Sequence, residues 1–191
     1  EDDFVEQMYE ANKLDVLMIF TNIGKVHHIN VYDIPEASRQ ARGKLLENLI
    51  NLQPGEKVKV IKKIRNFDDN QDVFFLTKHG IVKKTKLGEF KNINRAGLRA
   101  INIKEGDDLI YVDLTTGDSE IFIATKHGYS IRFHESDLRS LGRTASGVIG
   151  IKLRDDDEVV SGVIISNPDS DILTITENGF GKRTKLSEYN L

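Results

Sequence analysis

Apolar residues in this chain are gathered into short runs, and the runs repeat. Leu17 to Phe20, Val73 to Leu76, Ile121 to Ala124 and Ile172 to Ile175 are nearly continuous apolar stretches, each running into the same turn, written Thr21 to Gly24, Thr77 to Gly80, Thr125 to Gly128 and Thr176 to Gly179. A short apolar run bounded by a turn signal reads as a strand. Beyond each glycine the chain turns basic, at Lys25 to His28, Lys83 to Lys86, Arg132 and Lys182 to Lys185, which predicts an antiparallel partner on the other arm of a hairpin. The turn glycines are spaced 56, 48 and 51 residues apart. Nine residues after each comes an acid (Asp33, Glu89, Asp137, Glu188), and ten after comes a large apolar residue (Ile34, Phe90, Leu138, Tyr189). Agreement at so many offsets marks a tandem array with a period near fifty.

Two further strand patterns belong to each period. Val58 to Ile64, Leu109 to Leu114 and Val159 to Ile165 are rich in β-branched residues and bounded by Gly, Asp or Asn; Leu49 to Leu52, Arg99 to Ile103 and Ile149 to Leu153 are shorter. Four short strands per period predict an all-β, propeller-like fold. The expected organisation is one domain over 1–191, with blade repeats at about 4–52, 56–103 and 108–153 and a partial repeat at 158–191. The turn reads as a two-residue hairpin loop, with Ile23, His79, His127 and Asn178 sharing the positive φ of the glycine that follows. His79 and His127 are therefore turn residues before they are metal ligands, because the same position holds Ile23 and Asn178.

The acidic clusters follow the same logic. Glu56, Asp107 and Asp157 each stand four residues after Leu52, Ile103 or Leu153, so Asp155-Asp156-Asp157 reads as a solvated inter-strand turn, and the calcium-loop spacing is absent. No nucleophile elbow or Gly-rich Lys motif occurs, and the chain has no cysteine. A lack of cysteine suits a reducing cytoplasm, no apolar run approaches a membrane-helix length, and the acidic start Glu1-Asp2-Asp3 is unlike a signal peptide. Neither a catalytic residue, a metal site nor a membrane partner is expected. With 39% hydrophobic and 30% charged residues the chain can bury a core.

The formal net charge of -3 hides a segregated distribution. Cations fall in two stretches of each repeat. After the turn come Lys83, Lys84 and Lys86, then Arg132, then Lys182, Arg183 and Lys185; around a second glycine come Arg39, Arg42 and Lys44, then Arg95 and Arg99, then Arg143. A periodic set of cations can follow regularly spaced phosphates without reading bases. Two other readings stand beside it: the lysines protect blade edges from unwanted pairing, or the fold docks a protein partner as a scaffold. Charge reversal at Lys83 and Lys84 is expected to weaken duplex binding.

Three segments then carry a family resemblance: Ile34-Pro35-Glu36-Ala37-Ser38-Arg39-Gln40-Ala41-Arg42-Gly43-Lys44, the run Lys83 to Phe90, and Gly181 to Tyr189. Over essentially its whole length the sequence resembles the C-terminal domain of the DNA gyrase A protein, with the topoisomerase IV counterpart, used in decatenation, as the nearest alternative. The resemblance implies a β-pinwheel whose blades exchange strands and whose basic rim wraps duplex DNA. It further implies work within a gyrase heterotetramer, with the rest of the gyrase A protein and with its gyrase B partner, in the bacterial cytoplasm. ATP and Mg would act elsewhere in that assembly, with no cofactor in this domain. The cations named above become phosphate contacts and none becomes catalytic. Gyrase members also carry a box, Gln-Arg-Arg-Gly-Gly-Lys-Gly, used for wrapping; here only the looser Gln40-Ala41-Arg42-Gly43-Lys44 stands. The family's disc has about six blades, so the chain reads as a fragment, beginning just after the place of the box and leaving an exposed edge at its C-terminal side.

Overall fold

A computed structural model of the chain describes residues 5, 7–68 and 70–191. The expected first blade boundary at residue 4, and the acidic Glu1 to Asp3, lie outside them. Among the described residues thirteen strands, named in chain order, build four antiparallel sheets. Each sheet is founded on one of the predicted hairpins: β1 (Val16–Thr21) with β2 (Lys25–Asn30), β4 (Asp72–Thr77) with β5 (Ile81–Lys86), β8 (Glu120–Thr125) with β9 (Ser130–His134), and β12 (Asp171–Ile175) with β13 (Gly181–Lys185). Each hairpin ends in a short 3-10 turn (Val31–Asp33, Leu87–Phe90, Glu135–Asp137, Leu186–Glu188), which accounts for the recurrent acid and apolar residue nine and ten places past the glycine.

The third strand of each sheet arrives later in the chain. β3 (Val58–Ile64) pairs with β1, β7 (Leu109–Thr115) with β4, and β11 (Val159–Ile165) with β8, each pairing carrying a register shift near the turn threonine. These strands therefore close the sheet of the hairpin before them, not the one after, so the sheets are out of phase with boundaries drawn at 56–103 and 108–153. The fourth strand is exchanged. β6 (Leu98–Arg99), which comes after the second hairpin, pairs with Lys25 and Val26 of the first sheet, and β10 (Val148–Ile149), which comes after the third, pairs with Ile81 and Val82 of the second. The first two sheets thus have four strands, the third three and the fourth two among the described residues. Sequence alone set these exchanged strands at Arg99–Ile103 and Ile149–Leu153; of each range only the first residue, Arg99 or Ile149, pairs as strand.

The residues just past each exchanged strand explain the turn glycines. The amides of Ala100 and Ile101 both donate to the Gly24 carbonyl, and those of Gly150 and Ile151 to that of Gly80. Gly80 has φ +79, and a Cβ there would stand 2.7 Å from the Ile151 carbonyl oxygen, so the position demands both the left-handed backbone and the missing side chain. The residue before it takes no part in this. Among the described residues the one non-glycine with positive φ is Asp156, so Ile23, His79, His127 and Asn178 do not share the glycine's conformation. With the Gly24 amide bonded to the Thr21 carbonyl, the loop is a tight turn closed by a left-handed glycine, not a two-residue loop. In the first repeat the segment expected as a strand, Leu49 to Leu52, comes after a 3-10 turn at Leu46–Asn48 instead, and the amides of Leu49 and Ile50 both bond to the Leu46 carbonyl. Those are the two donors that, one and two repeats later, reach a preceding hairpin.

The core lies between sheets. Met18, Phe20 and Val26 meet Phe75, Leu87, Phe90 and Ile101 between the first and second, with Phe20 edge-on to Phe75 at 5.6 Å. Phe74, Leu76 and Val82 meet Ile121, Ile123 and Ile151 between the second and third. The central strands are covered on both faces, which is why their sequences run apolar without alternation: every residue of β4 is buried. β12 has the same kind of sequence but no third strand beside it among the described residues, and Leu173 is 66% exposed. Among the described residues no helix is long and apolar enough to cross a membrane.

Candidate nucleic-acid interface

After the 3-10 turns Leu87–Phe90 and Glu135–Asp137 the chain runs as a strap to the preceding sheet, and the matching strap of the first repeat follows Val31–Asp33. In these straps the turn-glycine register places arginine fifteen residues on every time: Arg39, Arg95 and Arg143. Arg39, Lys44 and Arg95 are exposed, as is Arg42. Arg99 is exposed and donates to Asn102 Oδ1 at 3.3 Å. Arg143 is half-buried, its Nε 3.8 Å from Glu89. The same register carries two exposed cations absent from the expected set, Lys91 and Arg139, each eleven residues past its glycine, where the first repeat has Pro35. Aligning the straps by the turn glycine, not by the second glycine, is the signal that finds them.

The cations after the turn divide differently. Lys182, Arg183, Lys185 and Lys86 are exposed, with Arg183 3.2 Å from Asp171 and Lys86 3.1 Å from Asp72. Lys83 and Lys84 are not on a rim. Lys83 is 1% exposed, and its ammonium donates to the carbonyls of Ala100 at 2.5 Å, Arg143 at 2.7 Å, Gly142 at 3.1 Å and Ala145 at 3.4 Å. Burial pulls its pKa down to about 8, with the nearby Glu89 opposing and Arg143 reinforcing that shift. Lys84 is also buried and donates to the Glu135 carbonyl at 3.0 Å, with the Glu135 carboxylate 3.6 Å away. Arg132 is half-buried, paired through Nε with Glu120 at 2.6 Å, while Nη1 donates to the carbonyls of Leu186 and Tyr189. Lys84 and Arg132 are register equivalents, and so are Glu135 and Leu186. Both cations therefore pin the carbonyl of the first residue of the next repeat's 3-10 turn. Their ammonium and guanidinium groups are occupied by protein oxygens, and the expectation that all three face phosphate gives way to one in which they fasten neighbouring blades.

The acids complete this fastening. Glu56, Asp107 and Asp157 are not solvated: their side chains are buried and receive hydrogen bonds. Glu56 accepts from Thr21 Oγ1 and the Gln53 amide and faces His27 Nε2 at 2.9 Å. Asp107 and Asp157 accept the amides of His79 and His127. Burial pushes the Glu56 carboxyl up, but the bonds from Gln53, His27 and Thr21 prevail and leave it below its ordinary value. Asp156, Gly106 and Gly55 share the left-handed position just before these acids. Lys59 pairs with Asp108, Lys62 with Asp113 at 3.0 Å and Lys78 with Glu158 at 2.7 Å, all between successive repeats. Among the described residues no cluster of three His, Asp or Glu side chains is placed to hold a metal ion.

A tandem array of antiparallel sheets, the first two each completed by a strand from the next repeat, with cations on the connecting straps, defines a β-pinwheel of the propeller class. The sequence model described as "DNA gyrase C-terminal domain, beta-propeller" matches residues 15–64, 71–116, 119–166 and 170–191, and the chain belongs to that family. It is 44% identical over 189 residues to the DNA gyrase A protein of Salmonella typhimurium, covering 99% of this chain and 21% of that protein. It is 45% identical over 193 residues to the DNA gyrase A protein of Staphylococcus epidermidis, covering 100% and 22%. The chain thus spans about a fifth of the relatives it matches. Among solved structures, a C-terminal domain of DNA topoisomerase IV superposes with a TM-score of 0.85 at 34% identity, over 94% of this chain and 56% of that one. A DNA gyrase A C-terminal domain superposes with a TM-score of 0.78 at 28% identity, over 94% and 57%. The matched segments begin one residue before β1, β4, β8 and β12, which is the phase of the sheets.

Proposed function

We propose that this segment binds and wraps duplex DNA as part of a bacterial DNA gyrase, bending the duplex so that the assembled enzyme introduces negative supercoils with ATP. The observation that carries the reading is the recurrent arginine of the straps, Arg39, Arg95 and Arg143, joined by the exposed Lys91 and Arg139. Cations at one register of a repeat meet a partner that is itself periodic, and the phosphate backbone is such a partner. The segment works without a cofactor or catalytic residue of its own, alongside the rest of the gyrase A protein and its gyrase B partner in the cytoplasm. The gyrase assignment over topoisomerase IV rests on the gyrase A relatives at 44% and 45% identity.

The test is fluorescence anisotropy on a duplex long enough to wrap, titrated across salt, with energy transfer between dyes at its ends. Binding is expected to weaken steeply with salt and to draw the ends together. The triple variant Arg39→Ala, Lys44→Ala, Arg95→Ala is expected to lower the slope of log K against log salt by about 3 if each side chain meets one phosphate. Absence of salt-dependent binding by the native chain would end the reading and favour a protein-docking module.

A further inference from the structure

We propose that the groove between the first two repeats is a phosphate seat, which holds the duplex backbone through Lys91, Arg95 and a ring of asparagine amides. The inference rests on the DNA-wrapping reading and says where on the first pair of blades the backbone is gripped.

The groove exists because the exchanged strand is short. β6 covers only Lys25 and Val26, so the remainder of β2 lies open between two straps, with residues 48–51 on one side and 91–95 on the other. The space between them is about 930 Å³, far more than a single small anion fills and enough for consecutive backbone units of a nucleic acid. Its walls are chemically one-sided. Asn48, Asn51 and Asn92 present amides, while Lys91 and Arg95 present exposed cations with no ion-pair partner among the described residues. The one carboxylate in the lining, Asp33, already accepts from the Asn30 amide at 2.9 Å.

The His28 ring beneath is packed against Phe67, and burial holds its pKa near 4, so at neutral pH it adds no charge to the lining. Asparagine amides, arginine and lysine are the side chains that meet phosphate and sugar oxygens in sequence-independent binding. No phenylalanine or tyrosine lines the groove, and single strands are held by stacking bases on such rings; the backbone of a duplex is the better fit.

Asn51 and Asn92 are exposed and make no hydrogen bond that the fold depends on, so Asn51→Asp with Asn92→Asp introduces two charges at constant shape. Two carboxylates facing a phosphate backbone are expected to weaken binding to a duplex roughly tenfold at low salt, with the melting temperature unchanged. The side-chain amide signals of Asn51 and Asn92 in the native chain should shift saturably with the duplex. If the double variant binds like the native chain while the Arg39, Lys44, Arg95 triple variant does not, wrapping stands and the seat is overturned. If the native chain does not bind the duplex at all, the wrapping reading falls, and titration with inorganic phosphate decides the groove alone: a saturable shift of both amides supports an anion seat, and no shift overturns it.

Discussion

Replacing Lys83 with methionine keeps the length and apolar stem of the side chain and removes only the ammonium. Three of its carbonyl bonds are 3.1 Å or shorter, to Ala100, Arg143 and Gly142. Bonds from a charged donor contribute about 1.5–3 kcal/mol each, so the gross loss is about 5–9 kcal/mol. Against that, the ammonium is buried at a cost: a pKa drawn from 10.5 to about 8 corresponds to about 3 kcal/mol that the variant no longer bears. The net destabilisation is about 2–6 kcal/mol, a large part of the stability of an ordinary domain. Urea denaturation of both proteins at pH 7 measures it, and the melting temperature should fall by about 5 °C or more. The pH dependence adds a second readout. Between about pH 8 and the ordinary lysine pKa the unfolded chain holds a proton that the native state has lost, so native stability rises with pH through that window. Lys83→Met should lack this rise. A variant that melts like the native protein yet binds DNA several-fold more weakly would refute the reasoning and return Lys83 to the rim. Charge reversal at Lys83 cannot serve as a DNA-contact test, because it sets a carboxylate among four carbonyl oxygens.

Three further outcomes are expected. Arg132→Leu leaves Glu120 half-buried without its cation and frees the Leu186 and Tyr189 carbonyls, so amide exchange in β12 and β13 should accelerate by the equivalent of about 2–4 kcal/mol while β4 and β5 change little. Gly80→Ala should destabilise more than Gly128→Ala by about 1–3 kcal/mol in thermal unfolding, since both have left-handed φ but only Gly80 lies against the Ile151 carbonyl. His28 is held neutral at a pKa near 4, so the stability it contributes is complete above its ordinary value of 6.5 and lost as pH falls from there toward 4; urea titrations from pH 7 to 4 should show a loss of at most about 3 kcal/mol from this group, which His28→Phe abolishes.

Most of the fold was legible because strand chemistry is local. The apolar run, the Thr-x-x-Gly turn and the basic arm specify a hairpin within a dozen residues, and β3, β7 and β11 announce themselves by β-branched composition. Their partners were not legible: a strand lying between two hairpins has the same sequence whichever it joins, and only the register of backbone bonds decides that β3 closes the sheet behind it. The exchanged strands were overlong in the sequence reading for a related reason. Ile101 and Ile151 look like strand residues because they are buried, but they are buried against a glycine of the preceding blade.

The same division runs through the charged residues. Periodicity by itself determined that cations recur at fixed places, and it suffices to find Arg39, Arg95 and Arg143, with Lys91 and Arg139 beside them. What it could not decide is which cations face water. Lys83 and Lys86 sit three residues apart on one strand; one ammonium lies among four carbonyls and the other is exposed beside Asp72. Asp157 and Asp155 sit in one acidic run; one carboxylate is buried as a cap on the His127 amide and the other is in solvent. A charge is tolerated in the interior only where protein dipoles replace its water, and those dipoles come from residues about 20 to 60 positions away. Sequence thus determined the repeat, the hairpins and the inventory of charge. Tertiary structure alone decided the exchange of strands and which charges hold the blades together rather than meet a partner, because both depend on backbone groups that become neighbours only when one repeat packs against the next.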